Sequence, residues 1–223
     1  MRLYSEYRAM ARETLAGRWN EGVLMTAIIL VLSVICSAPS FIMPFIEAND
    51  MTNTVIGSSS SALSTIISLL IIAPLEFAMY NALLAMARDT LTEDQTPLGA
   101  MFSFFKTDWV RYVKAIILEM VIIIPLSLVT LGIAGIIFAY AYKMVPLLMR
   151  DYPEIGAREA LKLSRELMKG HKKDLFVLQF TFIGWFILAI LSCGIGLLWL
   201  IPYQTTAEVL FYQDLKDTQI EEE

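Results

Sequence analysis

The sequence predicts an all-α, polytopic membrane protein: six transmembrane helices arranged as three repeated hairpins, each preceded by an amphipathic surface helix. Three observations carry this. Of 223 residues, 57% are hydrophobic and 17% charged, with a mean hydropathy of +0.62, whereas a soluble domain carries about 25% charge. Several apolar runs reach the roughly 18 residues that mark a bilayer span. One order also recurs three times along a single membrane domain, 1–223: amphipathic helix, span, turn, span.

Residues 2–16 have helical periodicity. Leu3, Tyr7, Met10, Ala11 and Thr14 share one face, and Glu6, Arg12 and Glu13 the other. Gly17 suits a left-handed C-cap, and Trp19 stands where an interfacial aromatic is expected. The first span covers 23–46, with Pro39 and Pro44 bending its far end. No small-residue cleavage site follows this long run, so it is expected to stay in the membrane. A polar loop at 47–61 holds no Lys or Arg. The second span covers 62–87, interrupted by Pro74, with Glu76 near its middle.

Thr96-Pro97 reads as a helix start, Thr as N-cap and Pro at the first helical position. Leu98, Met101, Phe102 and Phe105 make its apolar stripe, and Trp109, Arg111 and Lys114 mark an interface. The third span ends at Val129. Thr130-Leu131-Gly132-Ile133-Ala134-Gly135 turns the chain, and the fourth returns to Met149. At 154–169, Ala157, Ala160, Leu161, Ser164, Leu167 and Met168 oppose Arg158, Lys162, Arg165 and Lys169, and Gly170 stops this basic helix. Spans five and six, 175–191 and 197–212, flank Ser192-Cys193-Gly194-Ile195-Gly196, and Glu221-Glu222-Glu223 reads as a frayed end.

The copies run over about 1–88, 96–150 and 154–215. A shift of 62 places Thr130, Gly132 and Ile133 on Ser192, Gly194 and Ile195, and Arg111 on Lys173. A shift of 153 places Arg12, Glu13 and Gly17 on Arg165, Glu166 and Gly170, and a shift of 128 places Pro74 on Pro202. Two spans per unit return each copy to the same side, which implies a repeat axis along the membrane normal.

The stretch 154–215 carries Gly170-His171-Lys172-Lys173, Phe182-Ile183-Gly184-Trp185, Gly194-Ile195-Gly196, Pro202-Tyr203 and Phe211-Tyr212. With Ala11-Arg12-Glu13, these motifs resemble the bacterial integral membrane proteins of domain-of-unknown-function family 975, over nearly the whole chain. The family is distantly similar to membrane domains attached to glycerophosphodiester phosphodiesterases. That catalytic domain is absent from this sequence, so the resemblance implies six spans and the bacterial inner membrane but no enzymatic role.

Motifs for chemistry are scarce, and neither an enzyme nor a cofactor is expected. The single His171 sits in a basic stretch, where a solvated interfacial role is the plainer reading. Cys36 and Cys193 read as small apolar residues. No Cys/His spacing suits a metal, and no glycine loop suits a phosphate.

The informative residues are polar ones inside spans: Glu76, Glu119, Lys143, Gln204 and Glu208. A charge at the bilayer centre costs about 2.5–3.5 kcal/mol on insertion scales, so such residues tend to face a bundle interior or wet cavity. Glu119 and Lys143 lie at equal depth on adjacent antiparallel spans, which predicts an ion pair. Pro74 and Pro202 each free a backbone carbonyl one turn earlier, beside Glu76 and Gln204. Arg158, Lys162, Arg165, Lys169, Lys172 and Lys173 form a candidate contact for anionic lipid, whose plainer role is topology and anchoring.

All 17 Lys and Arg residues fall on one side or in the adjoining half of a span, which predicts cytoplasmic termini. The expected partners are membrane lipids, not nucleic acid; a protein partner or homo-oligomer is left open. Two readings stand at this point: binding or transport of an amphiphilic, lipid-like molecule, or a non-catalytic scaffold or subunit of a larger complex.

Overall fold

The computed structural model describes residues 2–47, 64, 66–90, 96–107 and 109–222. Among these, all regular structure is helical. Helix α1, Tyr4–Leu15, leads into α2, Trp19–Glu47, which runs through Pro39 and Pro44. A π-helical turn, Ser68–Ile72, opens α3, Ala73–Ala87. Then come α4, Pro97–Thr107, and α5, Trp109–Val129. The return strand of that hairpin is two helices, α6, Ile133–Tyr142, and α7, Val145–Asp151. The basic helix is α8, Ala157–Leu167. Two short helices follow, α9, Lys172–Phe180, and α10, Ile183–Leu191, before α11, Leu197–Glu222. Most of the polar loop expected at 47–61 lies outside the described residues.

Among the described residues, five stretches are long and apolar enough to cross a membrane: Trp19–Ala38, Ser68–Ala87, Trp109–Val129, Ile133–Asp151 and Lys172–Leu191. The long helix α11 is not among them. It packs against α1, α2, α3, α9 and α10. Thr205 through Tyr212 are all buried. A helix surrounded by other helices can carry Gln204, Thr205, Thr206 and Glu208 without exposing them to lipid. It continues to Glu222, so Glu221 and Glu222 are helical where a frayed end was expected, and Glu223 lies outside the described residues.

Local chemistry explains the element ends. Thr96 Oγ1 accepts a hydrogen bond from the Gly99 N–H at 3.1 Å and caps α4. The two tight turns match step for step. Leu131 and Gly132 have φ of 52° and 90°; Cys193 and Gly194 have 55° and 86°. In each, the glycine N–H bonds the carbonyl five residues back, Ser127 at 2.7 Å and Ala189 at 3.0 Å. In each, the preceding hydroxyl accepts from the amide four residues on: Thr130 from Ala134 at 3.0 Å, Ser192 from Gly196 at 2.9 Å. Only glycine enters the left-handed region without a Cβ penalty.

The core lies toward the charged ends of the helices. Tyr7, Ala11 and Leu15 of α1 are buried, while Leu3, assigned to that face from the sequence, is 67% exposed. Tyr7 donates to Asp214 at 2.5 Å, and its ring meets Phe211 edge-on at 5.7 Å. Burial, and then the Asp214 carboxylate, hold the Tyr7 phenol above its ordinary pKa. Ala160, Leu161, Ser164 and Leu167 bury one face of α8, and Ser164 Oγ donates to the Ala141 carbonyl at 2.8 Å. A charged clamp ties three helix ends together. Asp151 accepts from Arg88 at 2.6 and 2.9 Å, from Lys216 at 2.7 Å and from Tyr212 at 2.8 Å. The opposite ends are bare: Leu128, Val129, Leu131 and Leu191 are 76%, 85%, 95% and 74% exposed. Apolar tips of this kind suit hydrocarbon, not water.

The second turn is closed by contact as well as by hydrogen bonds. A Cβ at Gly196 would stand 2.8 Å from Ala189 Cα, whereas one at Gly184 meets nothing within 4 Å. Gly196→Ala should therefore cost about 1–3 kcal/mol through overpacking, and Gly184→Ala should not destabilise. Thermal unfolding of the purified protein in detergent micelles checks both.

Candidate functional site

The best-developed site forms around Glu208, whose side chain is 2% exposed inside the bundle. Its carboxylate is fully engaged. Lys143 Nζ lies 3.3 Å from Oε2, and the Tyr80 hydroxyl donates to the same oxygen at 2.5 Å. Gln179 Nε2 and Gln204 Nε2 donate to Oε1 at 2.6 and 3.2 Å. Gln179 is itself oriented by Tyr140, which donates to its Oε1 at 2.6 Å. The Lys143 ammonium also sits 5.3 Å from the centre of the Tyr80 ring, a favourable position over a π-face. Three helices, α3, α9 and α11, and the turn after α6 thus meet at one carboxylate. Such a network is stable only when every member is satisfied, because a buried charge left unpaired is costly.

A cavity of about 290 Å³ adjoins this network between α2, α3 and α11. Glu76, Lys143, Gln204 and Glu208 line its polar side together with Thr26, Ser33 and Tyr80; Ile29, Leu30, Met79 and Ile201 line the apolar side. Glu76 is exposed on this wall. Among the described residues it makes no hydrogen bond or ion pair. Eleven residues, about 16 Å of helix, separate it from Ala87 at the charged end of α3.

Four of the five polar residues singled out from the sequence therefore come together. Glu119 does not, and the expected Glu119–Lys143 pair is replaced by Lys143–Glu208. Equal depth was not enough. The helix breaks at Lys143–Met144, and that turn directs the ammonium toward α3 and α11 instead of α5. The expected role of Pro74 also changes. The N–H that Pro74 lacks would have reached the Leu70 carbonyl, and the Trp109 indole donates to that oxygen at 2.9 Å. A π-helical turn absorbs the remaining mismatch, so this broken ladder serves packing and not the cavity. Sequence reasoning missed Gln179, Tyr80 and Tyr140, although a polar amide and phenols within apolar runs were a visible signal.

The basic residues divide. Lys162, Arg165, Lys169 and Lys172, with Glu166, surround an open hollow of about 450 Å³. Arg158, Lys162 and Arg165 rim a second of about 330 Å³ floored by Leu118, Ile122, Tyr142 and Leu161. Lys173 lines neither and is exposed on α9. His171 Nδ1 lies 3.3 Å from Asp174, which also accepts from Tyr4 at 3.2 Å. The free cysteines are far apart in sequence, Cys36 within α2 and Cys193 exposed at a turn.

Five bilayer-length apolar helical stretches among the described residues, with an enclosed ionic network, define the class: a helical, multi-pass membrane protein. The chain belongs to the family described as protein of unknown function (DUF975), whose model matches residues 100–219. That stretch holds the 170–212 motifs and leaves Ala11-Arg12-Glu13 outside. No curated protein and no solved structure matches the chain.

If Glu208 is the hub, Lys143→Met and Glu208→Leu should each cost about 3–5 kcal/mol, and the double variant less than either. Thermal unfolding in micelles reads this, and losses that simply add would argue against the pair.

Proposed function

We propose that the protein binds an amphiphilic or lipid-like molecule, for storage or transport, in the cavity beside Glu208. One observation carries the reading: Glu76, with no hydrogen bond or ion pair among the described residues, lines a cavity of mixed polar and apolar lining. An apolar pocket with a few convergent polar groups is the usual form of a small-molecule site. The role is one of binding, not catalysis.

In this reading α11 is the sixth span, its polarity hidden by the helices around it. The matched turns at Leu131-Gly132 and Cys193-Gly194, and the left-handed Gly17 and Gly170, support three related hairpins. Helices α1, α4 and α8 lie along the inner surface of the bacterial cytoplasmic membrane. The basic hollows beside α8 take anionic headgroups, each nearby Lys or Arg adding about 1 kcal/mol. Both termini are cytoplasmic, because the charged clamp lies at the Lys- and Arg-rich end.

Topology is read with cysteine reporters. A Ser59→Cys reporter, in the polar 47–61 segment of the sequence, should be labelled by an impermeant thiol reagent on intact cells. A Lys169→Cys reporter in a Cys193→Ser background should label only after the membrane is opened. The reverse pattern would sink the orientation.

Occupancy of the cavity is read by blocking it. Ser33→Trp places an indole at a half-buried cavity position on α2. Mass spectrometry of amphiphiles that copurify with the protein should find a species at least about tenfold depleted in the variant. Equal retention would mean that the cavity is not the binding site.

A further inference from the structure

Three hydroxyls on the cavity wall, those of Thr26, Ser33 and Tyr80, are spent as donors, and this bears on the ligand. Thr26 Oγ1 donates to the Gly22 carbonyl at 3.0 Å, and Ser33 Oγ donates to the Ile29 carbonyl at 2.7 Å. A hydroxyl has one proton, so each presents only lone pairs to the cavity. Gln204 donates one Nε2 hydrogen to Glu208 and keeps its second N–H and its Oε1 acceptor. Tyr80 donates its hydroxyl hydrogen to Glu208 in a hydrogen bond. Glu76, when ionised, is acceptor-only.

Charge points the same way. Lys143 is the one cation on the wall among the described residues, and the Glu208 carboxylate 3.3 Å away neutralises it. Glu76, when ionised, adds a further negative charge to this wall in an apolar layer, where an unpaired charge is costly. A neutral headgroup brings a hydrogen-bond donor but no charge, and an anionic one is repelled. A cation with several N–H donors would meet the Glu76 carboxylate and the free lone pairs of Thr26, Ser33 and Gln204 together, and charge-assisted bonds of this kind are the strong ones. The apolar lining of Ile29, Leu30, Met79 and Ile201 suits an alkyl or ring body.

We infer that the cavity recognises a cationic amphiphile whose head is a protonated amine or amidine-like group, with Glu76 as its counter-ion. The inference rests on the cavity being the binding site proposed above. Headgroups without N–H donors, such as quaternary ammonium, satisfy the charge but not the acceptors, and should bind more weakly than a primary ammonium of equal chain length.

The test uses the full chain in a neutral maltoside detergent near pH 7. Dodecylammonium, dodecyltrimethylammonium, dodecanol and dodecyl sulfate are titrated at matched mole fractions in the micelle, and thermal stability and native mass spectra are recorded. Dodecylammonium should bind most tightly and raise the melting temperature most. Dodecyltrimethylammonium should follow, and dodecanol and dodecyl sulfate should give no specific adduct. Glu76→Gln keeps the shape and removes the charge, and should weaken dodecylammonium at least about tenfold. Ser33→Trp should abolish the adduct. Equal binding of dodecanol or dodecyl sulfate, blocked by Ser33→Trp, would overturn the cationic preference while leaving the cavity as the site. Adducts that survive Ser33→Trp, or none with any amphiphile, would remove the site and this inference with it. The titration series on the unaltered protein decides the charge preference even if Glu76→Gln folds poorly.

Discussion

A carboxylate buried at membrane depth must be partnered on every side, and Glu208 imposes that condition on the whole bundle. Its partners come from three other elements: Tyr80 from α3, Gln179 from α9, and Lys143 from the turn after α6. Gln204 comes from one turn earlier on its own helix. The network is satisfied only if α11 sits centrally, with the others around it. In lipid there is no strong apolar drive to bring helices together, so interhelical polar contacts of this kind have more influence on arrangement than they would in a soluble core. The cost of exposing Glu208 works against any arrangement that separates these helices.

The charged clamp at Asp151 extends the same logic to one end of the bundle. Arg88, Lys216 and Tyr212 converge on it from α3 and α11. Arg150 of α7 bonds the Asn81 carbonyl of α3, and Arg111 bonds the carbonyls of Tyr152 and Ile155. Strong polar fastening at one end and bare apolar tips at the other make the molecule asymmetric along its helix axes. Helix α1 belongs to the fastened end, docked on α11 by Tyr7, with Tyr203 donating to the Arg8 carbonyl at 3.1 Å.

The cavity is a by-product of the same arrangement, with one difference. Lys143 and Glu208 form an ion pair, whereas Glu76 makes no hydrogen bond or ion pair among the described residues. Packing among those residues gives no reason for a carboxylate at this position. A ligand that supplies positive charge and hydrogen-bond donors does, and the spent hydroxyls of Thr26 and Ser33 agree with it.

By itself the sequence determined the features that depend on local composition. These are the five apolar spans, the Thr96 cap, the buried stripe of α8 and the paired hydroxyl–glycine turns. It also marked Glu76, Lys143, Gln204 and Glu208 as polar residues needing shelter. What it could not determine was rotation about each helix axis, because depth follows from residue count but facing does not. Lys143 and Glu119 have the right depth for a pair, yet a break at Lys143–Met144 turns the ammonium to Glu208. The Leu70 carbonyl needed a donor, and only packing of α5 against the π-helical turn could supply Trp109. The sequence read 197–212 as a sixth span, but why the polar residues of α11 are tolerable there shows only once five other helices pack against it. Tertiary structure decided these points because each depends on which faces meet, and faces meet only after the chain has packed.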